Sequence, residues 1–320
     1  GSIPIIPRAS GQTAQIVVFT GLFEETQMIQ VTNLTKAYRD REVVKDLTFE
    51  VKEGEILGFL GKNGAGKSTT MRMLTGYLPA TSGTAKVAGF DVFEEPIEVK
   101  RRVGYLPEQP PLYVDMTVRD YLRFVTRLKG IAGARQKSEV ERVAGLVKIE
   151  QVIDRVIEQL SKGYKHRTCL AQSLIHDPQV LIMDEPTSAL TESEVERLFR
   201  IIARLREQGV TIVYISHKMD EIFRHADRIT VLRDGRVVKT LDRSSATPRE
   251  VTHLMVGREI GASNFGANRT PGEEVLRIED LSLPWPGHAR QWRLKDIRLS
   301  VRRGEVVGIA GLMGAGRTEL

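Results

Sequence analysis

The sequence lacks a hydrophobic run long enough to cross a membrane. Of its 320 residues 41% are hydrophobic, yet no stretch reaches the roughly 18 consecutive apolar residues that a spanning helix needs. The longest runs, such as Glu55–Gly61 and Val180–Met183, have the length of buried strands. We therefore expect no direct membrane insertion, and any role at a membrane requires a partner.

Cysteine, histidine and long basic runs are also scarce. Cys169 is the only cysteine, so no disulfide forms within this chain, and a reducing, cytoplasmic compartment is expected. The six histidines are not spaced as metal ligands. The net charge of +6 comes without a long Lys/Arg run, so nucleic acid is not an expected partner.

The chain contains an internal repeat. Residues 44–70 read VKDLTFEVKEGEILGFLGKNGAGKSTT, and residues 294–320 read LKDIRLSVRRGEVVGIAGLMGAGRTEL. The repeat predicts one domain over 28–242 and the truncated start of a second over 275–320, joined by a linker over 243–274. Residues 1–27 have no strand or helix pattern and are predicted to be a non-native or disordered extension.

Short apolar runs alternate with helical patterns in the first domain. Glu55–Gly61, Val180–Asp184 and Thr211–Ser216 are predicted as buried parallel strands. Three further segments are predicted as helices, namely Thr117–Leu128, Ser138–Val147 and Ser193–Gln208. This pattern predicts an α/β fold with a parallel sheet core and a helical insertion at about 109–160.

A phosphate-binding loop follows the first of these strands. Residues 61–68, GKNGAGKS, fit the pattern G-x-x-x-x-G-K-[ST] between a strand and a helix. Glycines let backbone N–H groups approach phosphate oxygens, Lys67 supplies a positive charge, and Ser68 offers a ligand to Mg²⁺. The predicted nucleotide-binding set is Gly61, Asn63, Gly64, Ala65, Gly66, Lys67, Ser68 and Thr69.

Two carboxylates and a histidine end other predicted strands. Asp184 is placed to hold Mg²⁺, directly or through water, and Glu185 to polarise the attacking water as a general base. His217 ends the strand Thr211–Ser216 and is a candidate for bonding the γ-phosphate and the attacking water. A histidine at a strand end alone is more often structural, so this assignment depends on the assembled set.

Together these residues resemble the ATP-binding cassette (ABC) family. Residues 160–164, LSKGY, stand where that family has its LSGGQ signature. The resemblance implies that Ser161 and Gly163 bind the γ-phosphate of an ATP held by an opposite subunit. It also implies that Tyr38 stacks on adenine, and that an antiparallel β subdomain accompanies the parallel core.

Two positions depart from the family pattern. Glu108 stands at the usual position of the Q-loop glutamine, with Gln109 as a rival for the role of Mg²⁺ or water ligand. Thr191 stands where the family's D-loop ends in aspartate. Because threonine has no carboxylate, communication between two sites across a dimer is expected to be altered.

The resemblance changes along the chain. Residues 28–183 resemble the ATPase subunit of ABC-2-type exporters, through segments such as Gly104–Glu108 and Leu160–Tyr164. Residues 189–320 resemble the tandem ATPase of ribose-type monosaccharide importers. Arg317 stands in the second loop where the first has Lys67, and this loop also resembles the second cassette of those importers. The sequence thus indicates a hybrid whose halves meet at Met183–Ser188.

These observations predict an ATP-hydrolysing subunit that uses Mg²⁺ and drives transport. In the family the segment at about 105–160 contacts the membrane subunit, so an integral ABC-2-type export permease is the expected partner. A homodimer, or a second ATPase cassette, is expected to complete the sites on the cytoplasmic face of the plasma membrane. The alternative is a ribose-type import ATPase. Two alternatives belong to another class of function: a soluble ABC ATPase, and a hybrid that binds nucleotide but is inert.

Overall fold

The computed structural model describes residues 27–109, 111–188, 190–257, 271–287, 291–310, 316–317 and 319–320. The chain divides into two compact units, one ending at Glu259 and the other beginning at Ile260. The predicted extension at the N-terminus lies outside the described residues, apart from its last residue, Gln27. No helix among the described residues combines the length and the apolar character needed to cross a bilayer.

The first unit alternates strands and helices. Its elements are β1 (Gln27–Tyr38), β2 (Arg41–Lys52), β3 (Ile56–Gly61), α1 (Lys67–Leu74), β4 (Ser82–Val87), β5 (Phe90–Asp91), α2 (Pro96–Arg102), β6 (Val103–Leu106), α3 (Val118–Leu128), α4 (Gly133–Val147), α5 (Lys162–Leu174), β7 (Val180–Asp184), α6 (Glu192–Glu207), β8 (Thr211–Ile215), α7 (Met219–His225), β9 (Arg228–Arg233), β10 (Arg236–Asp242) and α8 (Pro248–Val256). Short 3₁₀ turns at Glu150–Val152 and Ile157–Gln159 connect α4 to α5.

A six-stranded sheet forms the centre of this unit, in the order β10-β9-β3-β8-β7-β6. Neighbouring strands from β9 to β6 are parallel, and β10 is antiparallel to β9. Every residue of β3, β7 and β8 is buried, as expected for strands covered on both faces. The predicted parallel core is confirmed.

Alternate residues of these strands face two different hydrophobic clusters. Ile212 and Tyr214 of β8 pack in the cluster that contains α3 to α6. Val213 and Ile215 pack in the other cluster, with α1 and the antiparallel sheet β2-β1-β4-β5. The period of two along each strand therefore builds a three-layer unit.

Predicted helix boundaries agree at α3 and differ at α4. Thr117 caps α3, because its hydroxyl accepts from the backbone N–H of Asp120, and the helix ends two residues before Gly130, whose φ is +72°. Helix α4 begins at Gly133 instead of Ser138. Its polar first turns gave no apolar period, but Arg135 pairs with Glu139 at 2.8 Å, four residues on.

The first unit extends beyond the predicted boundary at residue 242. Helix α8 begins at Pro248, is capped by the hydroxyl of Thr247, and buries Val251 completely. Arg233 of β9 donates to the carbonyl of Leu254 at 2.8 Å. Residues 247–257 therefore belong to the first unit, not to the predicted linker over 243–274.

The second unit contains a hairpin of β11 (Glu274–Pro284) and β12 (Trp292–Arg302). Its register repeats that of β1 and β2: Leu276 pairs with Val301 as Ile29 pairs with Val51, and Leu281 with Ile297 as Leu34 with Leu47. Val306 corresponds to the buried Ile56 but is 79% exposed and lies in no strand. Of the second loop with Arg317, residues 311–315 and 318 lie outside the described residues.

Candidate nucleotide site

The loop between β3 and α1 needs glycine at two of its positions. A Cβ on Gly61 would lie 2.6 Å from the carbonyl oxygen of Leu232. Gly66 precedes α1 with φ +101°, a left-handed conformation, and a Cβ there would lie 3.0 Å from the carbonyl oxygen of Val43. The loop therefore keeps its backbone N–H groups close to the N-terminus of α1, where an anion is favoured.

Lys67 lies over this loop. Its Nζ donates to the carbonyl oxygens of Gly61 at 2.7 Å and Lys62 at 3.2 Å. Burial lowers the pKa of Lys67, and the nearby charges of Glu185, Asp184 and Glu108 oppose that shift. A cation is thus held against carboxylates in a largely desolvated place.

A cavity of about 340 Å³ joins the loop to the ends of the central strands. It brings together residues from five separate segments of the sequence, and its lining is Val43, Asn63, Gly64, Gly66, Lys67, Ser68, Thr69, Glu108, Asp184, Glu185, Ser188 and His217. Gly61 and Ala65 shape the loop but are not among the lining residues.

Asp184 ends β7 and is only 3% exposed. Burial raises the pKa of its carboxyl, and a hydrogen bond from Ser68 opposes this. Its Oδ1 is buried without a hydrogen-bond partner among the described residues. An unpartnered carboxylate oxygen beside a serine hydroxyl fits the oxygen ligands that Mg²⁺ prefers. Since no group of three acidic, histidine or cysteine side chains forms a metal site in the described part of the chain, other ligands would come from phosphate and water.

Glu185 follows Asp184 with φ +50°, a conformation that non-glycine residues rarely adopt. Its backbone N–H donates to the carbonyl of Ile215 at 3.0 Å, which ties the turn after β7 to β8. Its Oε2 lies 2.7 Å from Nδ1 of His217 and accepts the backbone N–H of His217 at 3.3 Å. The predicted base and the predicted histidine are therefore direct partners.

Glu108 and Gln109 lie in different cavities. Glu108 lines the cavity that holds Lys67 and Asp184. Gln109 lines a separate groove of about 420 Å³, together with Arg72, Tyr105 and Lys129. In this conformation the geometry favours Glu108 for the role that the sequence left open between them.

Tyr38 lies beside the site but does not line the loop cavity. Its ring is 48% exposed, and Nζ of Lys36 lies 5.2 Å from the ring centroid. Its neighbours Ala37 and Arg39 line an outer cavity of about 660 Å³, which shares Val43 and Gly64 with the loop cavity. Tyr38 itself lines neither cavity, so its contact with adenine stays a prediction.

Known proteins share this combination of fold and loop. Residues 44–188 match the family described as ABC transporter. The ribose import ATP-binding protein RbsA 2 of Rubrobacter xylanophilus is 38% identical over 300 residues, which cover 92% of this chain. This chain carries an ABC transporter ATP-binding domain.

Other ribose import proteins are similarly close to the chain. RbsA of Bacillus licheniformis is 38% identical over 302 residues and RbsA of Bacillus subtilis 34% over 300, each covering 91% of this chain. The chain spans 56–59% of the length of these three relatives. An alignment of 300 residues cannot be confined to residues 189–320, so the likeness to importers extends into the half compared above with exporters.

Solved cassettes share the fold of the first unit. The structure of an ATP-binding subunit of an ABC transporter aligns with a TM-score of 0.66 and 24% identity, covering 72% of this chain and 99% of that one. A dimeric cassette in a post-hydrolysis state, bound to ADP and Pi, aligns with a TM-score of 0.63 and 23% identity, covering 68% and 99%. At these identities the likeness supports the fold.

The signature residues of the cassette lie outside the loop cavity. Ser161 caps α5, because its hydroxyl accepts from the backbone N–H of Tyr164. Gly163 packs against α6 so closely that a Cβ would lie 2.1 Å from Oε1 of Glu194. Neither residue is among those that line the cavity holding Lys67. A role for them in a site completed by a second cassette stays a prediction.

Thr191 has a local structural role in place of the family's aspartate. Its hydroxyl and the side chain of Glu194 form a reciprocal capping box at the start of α6. Because the same Glu194 lies against Gly163, the D-loop is linked to the signature helix within one chain.

Glu221 is a buried residue of the site region that sequence reasoning missed. Its Oε2 accepts from the hydroxyls of Thr187 at 2.9 Å, Tyr214 at 2.8 Å and Ser216 at 3.0 Å. Lys218 lies 3.1 Å from Oε1. The carboxylate therefore fixes the segment after Asp184 and Glu185 to the segment that carries His217. A glutamate four residues after a strand-ending histidine was the available signal, but its partners become visible only in three dimensions.

Proposed function

We propose that this chain binds and hydrolyses ATP with Mg²⁺ and so drives a membrane permease that imports a monosaccharide. One observation carries the ATPase proposal: a single cavity contains Lys67, Asp184, Glu185 and His217. These groups come from distant parts of the sequence, and their types match the needs of phosphoryl transfer.

Binding of the triphosphate rests on the loop and Lys67. The backbone N–H groups of residues 63–68 face the phosphate oxygens at the N-terminus of α1. Lys67 exchanges its contacts with the Gly61 and Lys62 carbonyls for the terminal phosphates. Tyr38 is proposed to stack on the base, as the family resemblance implies.

Ser68, Asp184 and Glu108 are the residues proposed to hold Mg²⁺, directly or through water. When bound, the ion neutralises charge on the β- and γ-phosphates. The hydrogen bond between Ser68 and Asp184 keeps these two side chains adjacent, and the unpartnered Oδ1 of Asp184 supports the proposal.

Glu185 is proposed to take a proton from the attacking water. Nδ1 of His217, 2.7 Å away, holds this carboxylate, and in the form protonated on both ring nitrogens Nε2 can also donate to the γ-phosphate. The hydrogen bond from Glu185 N to Ile215 fixes the backbone from which the carboxylate projects. Orientation of the base and stabilisation of charge then supply the rate enhancement.

A second cassette is proposed to complete the site. The resemblance implies that Ser161 and Gly163 contact the γ-phosphate from the opposite subunit, and their position outside the cavity of their own chain is compatible with that. A homodimer, or the second domain proposed to begin at 275, would supply them. We propose the first cassette as residues 27–259.

Import is favoured over export by the comparisons. The three relatives described above are named ribose import ATP-binding proteins and align with more than nine tenths of this chain. We therefore propose a ribose-type monosaccharide permease as the partner, in place of the ABC-2-type exporter expected from residues 105–160. The chain would act at the membrane surface.

The groove that contains Gln109 is the proposed contact with that permease. Tyr77 lines this groove and is strongly exposed. Leu128, which precedes the lining residue Lys129, and Tyr113, two residues after the lining residue Pro111, are also strongly exposed. Exposed apolar side chains around a groove are typical of interaction surfaces.

Binding of Mg²⁺-ATP to the full chain tests the nucleotide site. Lys67→Ala is expected to weaken ATP binding by about tenfold or more, because it removes a charged donor to phosphate. Lys62→Ala is a matched control, since Lys62 belongs to the same loop but does not line the cavity. Equal affinities of the two variants would contradict the assignment.

Uptake of labelled ribose in cells with and without the chain separates import from export.

A further inference from the structure

Another cavity lies between α4, α5 and α6, and shares no lining residue with the nucleotide cavity. Its volume of about 430 Å³ is within the range of roughly 300–1,000 Å³ typical of small-molecule sites. Part of its lining is apolar and consists of Leu146, Val147, Leu170, Leu190, Leu198 and Ile201.

The polar lining of this cavity is strongly cationic. Lys148 and Arg167 contribute from the α4–α5 side. Helix α6 adds Arg197, Arg200 and Arg204, whose spacing places them on one helix face. Glu194 is the single carboxylate among the described lining residues. Five cations therefore face one acid around a small space.

The three α6 arginines lack the carboxylate partners that other charged residues of α6 have. Glu196 pairs with Arg224 at 2.6 Å, and Arg206 pairs with Asp227 at 2.5 Å. Within the described parts of the chain, no carboxylate lies within ion-pair distance of Arg197, Arg200 or Arg204. Glu194 is engaged by the backbone N–H and the hydroxyl of Thr191. Arg167 lies 3.7 Å from Glu194, so within the described parts of the chain the lining cations without an ion pair are Lys148 and the three α6 arginines.

A buried histidine adds a specific hydrogen-bonding atom. His166 lines the cavity, is only 3% exposed, and its Nε2 has no partner among the described residues. Nε of Arg167 is also buried without a partner. Buried polar atoms nearly always have partners, so these two atoms leave hydrogen-bonding capacity beside the cavity for water or a bound group.

We propose that this cavity binds a phosphorylated organic metabolite about the size of a mononucleotide. The arginines of α6 bind the phosphate, because a guanidinium makes paired, charge-assisted hydrogen bonds with it. The apolar lining covers the organic part, and Nε2 of His166 hydrogen-bonds the ligand. An occupant of this kind bridges α5, which begins at the signature, to α6, which follows the D-loop.

Isothermal titration of the full chain tests this proposal. The nucleotide site is first saturated with Mg²⁺ and a non-hydrolysable ATP analogue, and AMP, ribose 5-phosphate or inorganic phosphate is then added. The test variant is R197Q/R200Q/R204Q. The control variant R123Q/R127Q/R249Q removes the same charge from exposed positions that do not line the cavity.

We expect AMP or ribose 5-phosphate to bind the wild type and the control with equal affinity, and the test variant about tenfold or more weakly. His166→Ala is expected to weaken binding too. Equal affinity for test and control variants, binding of neither organophosphate, or inorganic phosphate binding as tightly as both would overturn the proposal. If the triple variant does not fold, as judged by circular dichroism, Arg200→Gln against Arg123→Gln gives the same comparison.

Discussion

Glu221 holds two segments of the site together through one buried carboxylate. It is 8% exposed and accepts hydrogen bonds from Thr187, Tyr214 and Ser216. Burial raises the pKa of this carboxyl, but hydrogen bonds from these three residues and Lys218 outweigh burial and hold the pKa below its usual value. The charged form is therefore more stable in the folded chain than in the unfolded one.

Glu221→Gln is expected to lower the free energy of unfolding at pH 7 by about 1–3 kcal/mol, because an amide cannot accept all of these bonds. A lowered pKa gives stability that is present above the unfolded pKa and is lost as pH falls through the folded pKa. The difference from wild type should shrink in acid. Chemical denaturation at several pH values measures it, with the exposed Glu207→Gln as control. A difference that stays constant into acid would argue against the charge of Glu221 as its cause.

Motifs predicted the residues of the nucleotide cavity that lie next to one another in sequence. The loop around Lys67 and the pair Asp184–Glu185 were predicted because each is a local pattern at a strand end. The sequence did not decide between Glu108 and Gln109, because these adjacent residues line different cavities and only the structure shows which. Glu221 was missed because its partners, Thr187 and Tyr214, lie 34 and 7 residues away.

At the scale of elements, β6 packs directly on α5. A Cβ on Gly104 of β6 would lie 2.3 Å from the carbonyl oxygen of Ser173 in α5. The clash is with backbone, which cannot move away as a flexible side chain can. The approach of this strand to the signature helix thus depends on glycine.

Gly104→Ala is expected to destabilise the chain by about 1–3 kcal/mol, because one methyl group overpacks a closed strand–helix contact. Gly145→Ala in α4 is the control. There the nearest atom to the new Cβ would be Oε1 of Glu150 at 3.7 Å, and alanine is expected to stabilise by about 0.5–1 kcal/mol. Thermal melting of both variants measures these opposite signs. A shift of the same sign in both would contradict the packing argument.

Strands were predicted more closely than helix boundaries. The apolar run Val180–Asp184 agrees with β7 at both ends, because burial on both faces gives a continuous hydrophobic segment. The start of α4 and the whole of α8 were missed. Their stability comes from ion pairs, a cap and a single buried valine, which leave a weak apolar period in the sequence.

At the scale of the first unit, residues before and after Met183–Ser188 form one sheet. Strand β3 precedes this segment in sequence but lies between β8 and β9, which follow it. Leu57 pairs with Val213 on one side and Arg228 on the other. The strands before and after Met183–Ser188 therefore hydrogen-bond one another within the sheet.

Hydrogen exchange is therefore expected to report one cooperative unit. Amides of β3 and β8 should open with free energies within about 1 kcal/mol of each other, because each strand hydrogen-bonds the other. Mass spectrometry of peptides that cover residues 56–61 and 211–215 makes this measurement in the native chain. Opening of one half at much lower free energy would contradict interdependent folding.

The central claim is that the cavity around Lys67 and Glu185 hydrolyses ATP. Steady-state ATP turnover by the full chain and by Glu185→Gln tests it most directly, with Glu207→Gln as a surface control. The account predicts Mg²⁺-dependent turnover that falls by about 10²–10⁴-fold in Glu185→Gln while ATP binding is retained, because the variant removes the base but leaves Lys67 and the loop intact. Unchanged turnover in Glu185→Gln, or no turnover by the wild-type chain, would contradict it.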